Sequence, residues 1–151
     1  MSKTWTKALP FFTADELACQ GSGIVKLDMR FAAQLPALRM AWGSPMILNS
    51  CCRTPEHNAR VKGHPRSLHL TINPKWPTWG CMAADVGWLS WSTEEQFQFA
   101  LLAWNQGWSI GLHEGFCHID RRGDMKRSEL PQTVFTYDHW DGAFFKSDIV
   151  N

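Results

Sequence analysis

Ser109-Ile-Gly-Leu-His-Glu-Gly-Phe-Cys-His-Ile-Asp120 is the stretch on which the reading of this chain turns. Two short apolar runs flank a turn at His113-Glu114-Gly115, which is the form of two paired strands. Side chains alternate at a period of two in the second run. Phe116, His118 and Asp120 therefore share one face, and Cys117 and Ile119 share the other. Such a strand presents one polar group, His118, from an otherwise apolar surface. What His118 does depends on whether the rest of the chain supplies partners for it.

At 151 residues, 44% apolar and 19% charged, the chain suits a single globular domain with a real core, expected over 1–151 and densest at about 10–140. A net charge of +1 argues against a nucleic-acid partner held by a basic face. No run approaches the ~18 apolar residues of a membrane span, so no membrane insertion is expected. Met1-Ser-Lys-Thr-Trp-Thr-Lys7 lacks the apolar centre of a signal peptide, so the expectation is synthesis in the cytoplasm and export only with outside help. Five cysteines form no Cys-x-x-Cys pair, and Cys51 and Cys52 are adjacent. They read as reduced, small and mostly buried, and the lack of a Cys-x-x-Cys pair excludes a zinc ribbon. The nine tryptophans are expected mainly in the core, with some free to meet a flat ligand.

Along the chain, Thr13-Ala-Asp-Glu16 is a capping box that opens a short helix to about Cys19. Leu27, Phe31, Leu35, Leu38 and Trp42 recur at helical spacing, with Pro36 as a point of kinking or restart. Met46 to Ser50 reads as a buried strand. Thr54 caps a helix that starts at Pro55 and runs to about Val61. Ser67 to Leu70 is short and extended, and 71–80 is a surface loop rich in Pro and Trp. Met82 to Val86 is a second buried strand, and Ser92-Thr-Glu-Glu95 caps a helix ending before Gly107. The strand pair of the opening stretch follows. Then come a charged, mobile-looking 121–131 and a last strand at Thr133–Tyr137. This order predicts an α+β fold, a small antiparallel sheet with helices packed on it.

Of the six histidines, His57, His64 and His139 read as bystanders on a surface helix or in loops. His69, Asp85 and His118 each sit at or in a short apolar extended segment. An ionised Asp85 buried after Met82-Ala-Ala would cost several kcal/mol without a partner. A metal answers that need, since two imidazoles and a carboxylate leave an open position on Zn²⁺. An ion pair or strand-end cap for Asp85, and a hydrogen-bonded core place for His118, answer it as well. The residues alone leave both readings open.

The segment Leu48-Asn-Ser-Cys-Cys-Arg53-Thr-Pro-Glu-His-Asn-Ala-Arg-Val61 resembles the signature of the M15 family of zinc D-Ala-D-Ala peptidases, in its compact bacterial and phage branch. Ser67-Leu-His69, Met82-Ala-Ala-Asp85 and Phe116-Cys-His118-Ile-Asp120 follow in the family's order, so the likeness covers about residues 10 to 120. It implies a Hedgehog/DD-peptidase-like fold, Zn²⁺ as cofactor and His69, Asp85 and His118 as its ligands. Arg53 would bind the substrate's carbonyl or carboxylate, Ser67 would hydrogen-bond substrate or backbone, and Asp120 would orient His118 or a nearby loop. The implied activity is hydrolysis of peptidoglycan stem or cross-link peptides next to D-alanine, by a monomer. With no signal peptide, the chain resembles a phage endolysin that reaches the cell wall after holin-type release or as a virion component.

Two departures accompany the resemblance. The first histidine and the aspartate are usually seven apart in the family, and here His69 and Asp85 are sixteen apart. The excess is Thr71-Ile-Asn-Pro-Lys-Trp-Pro-Thr-Trp-Gly80, which is tolerable as a surface bulge. Trp76 and Trp79 then become candidate substrate contacts, or mere anchors of the loop. Several relatives place an acid three before the last histidine, where this chain has Gly115. Glu114 is the candidate catalytic base instead, with His113 as runner-up and a possible substrate contact. A cytoplasmic D-Ala-D-Ala dipeptidase, or a non-catalytic zinc- or wall-binding domain of the same fold, are the alternatives.

Overall fold

A computed structural model describes residues 2–150. In chain order the elements are β1 (Thr4–Trp5), α1 (Ala14–Leu17), β2 (Leu27–Asp28), α2 (Met29–Trp42), β3 (Leu48–Ser50), α3 (Pro55–Arg60), β4 (Ala83–Gly87), α4 (Thr93–Asn105), β5 (Ser109–Leu112), β6 (Phe116–Asp120), a 3-10 turn (Arg122–Met125), β7 (Val134–Thr136) and α5 (Lys146–Ile149). Five strands form one sheet in the order β3-β4-β6-β5-β7, and β1 and β2 form a separate antiparallel ribbon. The α+β class is as expected, but the main sheet is mixed. β7 runs parallel to β5, because the chain reaches it through the long crossing segment 121–133 that a parallel pair requires.

The sheet has two faces of different character. Ala84, Val86, Ile110, Leu112, Cys117 and Ile119 are buried completely. α4 packs against β5 and α2 against α4, and Phe31 of α2 meets Trp108 edge to face at 5.8 Å. Trp42 stacks on Trp91 at 5.3 Å, and Phe99 closes on both. Most of the tryptophans thus build core, and the other face of the sheet is left for Asp85, His118 and Asp120.

The sequence signals for helix starts hold. Thr13 and Ser92 each make the reciprocal capping box, and Thr54 caps α3 with Pro55 in its first turn. Four expectations need correction. The helix read from Leu27 begins at Met29, because the Asp28 carboxylate accepts the Arg30 N–H and caps it while Leu27–Asp28 pairs with β1. α2 also runs unbroken through Pro36, with Leu35 and Leu38 on either side of it anchored in the core. Ser67 to Leu70 is not extended but a run of turns, since the Ser67 Oγ accepts the His69 N–H and its carbonyl accepts the Leu70 N–H. Nor is 121–131 a free charged loop. Buried Arg121 donates to both oxygens of Asp124 and to the Gln106 carbonyl, which pins the 3-10 turn to α4.

Candidate metal centre

Asp85 on β4 stands directly opposite His118 on β6, so the two side chains leave adjacent strands on the same face. His69 arrives from the turn after Ser67, held by Arg53 N–H donating to its carbonyl. The three are buried, and their ligand atoms lie within 4.8 Å of one another. Asp85 Oδ1 is 3.1 Å from His69 Nε2 and 3.1 Å from His118 Nδ1.

The far nitrogen of each ring decides what this cluster wants. His69 Nδ1 lies 2.7 Å from the Cys51 carbonyl, a group that can only accept, so the proton sits there and Nε2 offers a lone pair. His118 Nε2 lies 2.8 Å from Asp120 Oδ2, so Nδ1 likewise offers a lone pair. Three acceptors then converge on one point, and only a proton or a cation can fill it. Two imidazole nitrogens and a carboxylate, each ring braced from behind, are the donor set and bracing of a zinc site with room for substrate. The residues present fit the metal.

The charges agree with this. Burial works against ionised Asp85, but the attraction of His69 and the hydrogen bond to His118 outweigh it and hold its carboxyl well below the usual range. Burial alone would lower the His118 pKa. The hydrogen bonds to Asp120 and Asp85 win, and it is pushed up to about 9. In the metal-free protein a proton therefore occupies the place a cation would take. Asp120 is completely buried, yet His118 and the double hydrogen bond from Arg122 through Nε and Nη2 keep it ionised.

Arg53 lies at the edge of the cluster. Its Nε donates to Ser50 Oγ at 3.1 Å, its Nη1 to Asn58 Oδ1 at 3.3 Å, and its Nη2 reaches Asp85 Oδ2 at 3.5 Å. Gly63 makes this possible, because a Cβ there would lie 2.0 Å from Asn58 Oδ1. A cleft of about 510 Å³ opens at His118, lined by Ser67, Trp76, Arg122, Phe135 and Tyr137 among others. Trp76 is set by its N–H donating to Asn73 Oδ1, and its ring faces Lys75 at 5.2 Å and Arg127 at 5.9 Å. The inserted loop and the 121–131 segment thus meet at one wall.

Three expected site residues are placed elsewhere. Trp79 lies under Arg30, 3.8 Å from ring centre to guanidinium carbon, and donates its backbone N–H to Asp28, so it anchors the loop away from the cleft. Glu114 is exposed at the tip of the β5–β6 turn. At ~3.4 Å per residue its backbone is on the order of 10 Å along the strand from His118, beyond a glutamate's reach. Trp88 nails that turn down by donating to the His113 carbonyl at 2.7 Å and to the Gly115 carbonyl at 3.2 Å. His113 stacks on Phe116 at 4.2 Å, and its Nδ1 accepts the Gly115 N–H, which leaves a donor rather than a base at Nε2.

Sequence reasoning missed Arg122, Phe135 and Tyr137, and it set aside as a bystander His64, which lines the same cleft. Arg122 was within reach of it, being two residues past Asp120 on the same alternation. Phe135 was not. It lies opposite Gly111 through the parallel pairing, and its ring leans over the missing side chain onto His118 at 5.5 Å.

Helices on one face of a small sheet, and a buried two-histidine, one-aspartate cluster under a cleft on the other, fit a metal-dependent hydrolase. A family model described as Peptidase M15 matches residues 10–120, and the chain belongs to that family. The match takes in His69, Asp85 and His118, whereas Arg122, Phe135 and Tyr137 lie beyond it. No curated protein matches the chain.

Proposed function

We propose that this chain is a zinc-dependent peptidase that hydrolyses peptidoglycan stem or cross-link peptides next to D-alanine, as an endolysin does. The observation that carries the reading is the convergence of three lone pairs from His69, Asp85 and His118 at the foot of the cleft. Bound there, Zn²⁺ would polarise the scissile carbonyl and acidify a water. Arg53, braced by Ser50 and Asn58, offers guanidinium donors to the substrate's carbonyl or carboxylate. Ser67 and Trp76 line the path along which the peptide lies, and Phe135 shields His118 from solvent. Asp120 and Arg122 hold His118 in one orientation. For Glu114 to act as base, the turn has to fold inward across Phe116, an approach the His113 ring already covers. In this reading the enzyme meets the wall after release through membrane lesions or from a virion.

A second reading, a zinc- or wall-binding module without turnover, is favoured by that position of Glu114 together with Gly115. The test is release of amino groups from purified cell walls by metal-loaded protein. Turnover abolished by chelation and by His118→Ala is the expected result. A loss of about 10²-fold or more in Glu114→Ala would make it the general base, and full activity would remove that assignment. Wall binding with no turnover in the wild type would favour the module, and cleavage of free D-Ala-D-Ala alone would favour a dipeptidase.

A further inference from the structure

Next to His69, Cys51, Cys52 and Cys81 bring their sulfurs within 4.8 Å of one another. Cys51 Sγ and Cys81 Sγ are 3.9 Å apart, no disulfide joins any of the three, and each is at most 2% exposed. They come from two separate segments, one where the chain leaves β3 and one just before β4. Neighbouring residues of a strand point to opposite faces. Cys51 and Cys52 nevertheless both aim at Cys81, because the strand ends at Ser50 and the chain swings toward the parallel bridge between Arg53 and Leu70. Apart from one another, Cys81 Sγ donates to the Ala83 carbonyl at 3.2 Å and Cys52 Sγ to the Lys26 carbonyl at 3.7 Å. Among the described residues no carboxylate or imidazole completes the cluster as a fourth ligand.

We propose that Cys51, Cys52 and Cys81 form a second metal site, distinct from the peptidase centre, that takes a soft thiophilic cation in three-coordinate thiolate geometry. A metal bonded to three sulfurs at about 2.3 Å in one plane sets them about 4.0 Å apart, close to the 3.9 Å between the Cys51 and Cys81 sulfurs. Soft thiolate donors select monovalent copper and zinc from the common ions. The missing fourth donor and the exclusion of water favour copper, since zinc sites of this type are four-coordinate. Binding replaces three S–H bonds by three metal–sulfur bonds and releases three protons to solvent, with no change of oxidation state. The site also touches the catalytic one, because the Cys51 carbonyl receives the His69 Nδ1–H. An ion on the Cys51 sulfur would stiffen the backbone that orients a peptidase ligand.

The test is anaerobic loading of reduced, metal-free full-length protein with monovalent copper in one arm and zinc in the other. Metal per chain and the ultraviolet thiolate-to-metal absorption are read in each. The expected result is one thiolate-bound ion per chain in the copper arm, with the thiolate band present, beside any ion held by His69, Asp85 and His118. Cys81→Ser should lose one ion and the band, and His118→Ala should lose the other ion and keep the band. Cys52→Ala serves as a second variant, and the band in the wild type decides if neither variant folds. Absence of the thiolate band in both arms would overturn the proposal, as would a Cys51–Cys81 disulfide in protein isolated without reductant. Neither readout depends on peptidase turnover.

Discussion

Asp120 carries a double duty that its position two residues past His118 only hints at. Its Oδ2 takes the His118 Nε2–H at 2.8 Å while Arg122 donates to the same oxygen through Nη2 and to Oδ1 through Nε. Asp120→Asn should keep the shape and lose the charge that strengthens His118 as a ligand. Metal affinity should fall about 10–100-fold, measured by competition with a chelator. An unchanged affinity would mean that Asp120 is only packing. The His118 proton makes a second prediction. Its pKa rises from about 6.5 to about 9 on folding without metal. The stability it contributes to the metal-free protein is complete below pH 6.5 and is lost as pH climbs through about 9. A cation has to displace that proton. Apparent metal affinity should therefore rise between these limits, by up to about tenfold per pH unit for one proton. Calorimetry in buffers of different ionisation heats would count the proton, and a flat affinity from pH 6.5 to 9 would refute the arrangement.

Among the elements, the β5–β7 pair shapes the site more than its length suggests. Gly111 faces Phe135, and a Cβ there would come within 2.6 Å of the ring and 3.0 Å of His118 Cβ. Gly111→Ala should cost about 1–3 kcal/mol of stability as the ring is pushed aside, read from urea unfolding. It should also weaken metal binding, because the ring braces His118. If stability and affinity are both unchanged, Phe135 is not confined by the pairing. The β5–β6 hairpin is the opposite case. Its tip is clamped by Trp88, whose ring is completely buried, so Glu114 is carried on one of the more firmly fixed turns of the fold.

At the scale of the whole molecule, one face of the sheet stores the apolar core and the other gathers the ionisable groups. A metal bound only by the folded state adds stability by mass action, about 2.7 kcal/mol at a hundredfold excess over its dissociation constant. For a domain of this size that is roughly a 5–10 °C rise in melting temperature. Chelation should remove it, and His118→Ala should be insensitive to chelation at that site. A melting temperature indifferent to chelator in the wild type would show that His69, Asp85 and His118 hold no ion.

The local patterns of the chain were enough to place the helix caps at Thr13, Thr54 and Ser92 and the strands around Asp85 and His118. They also put His118 and Asp120 on one face, because a period of two assigns sides without reference to anything distant. The order of Arg53, His69, Asp85 and His118 further pointed to the family. What surrounds those ligands was decided only in three dimensions. Nothing in residues 133–137 says that β7 pairs parallel with β5, so Phe135 and Tyr137 could not be seen in the cleft. Trp76 and Trp79 belong to the same loop and look alike in sequence. One lines the wall and the other lies under Arg30, because a loop without periodicity is aimed by its contacts, here Asn73 for one and Asp28 for the other. The exposed place of Glu114 is set by a distant contact for the same reason. Its turn is held by Trp88, a residue twenty-five positions from His113 whose hydrogen bond no local signal foretells.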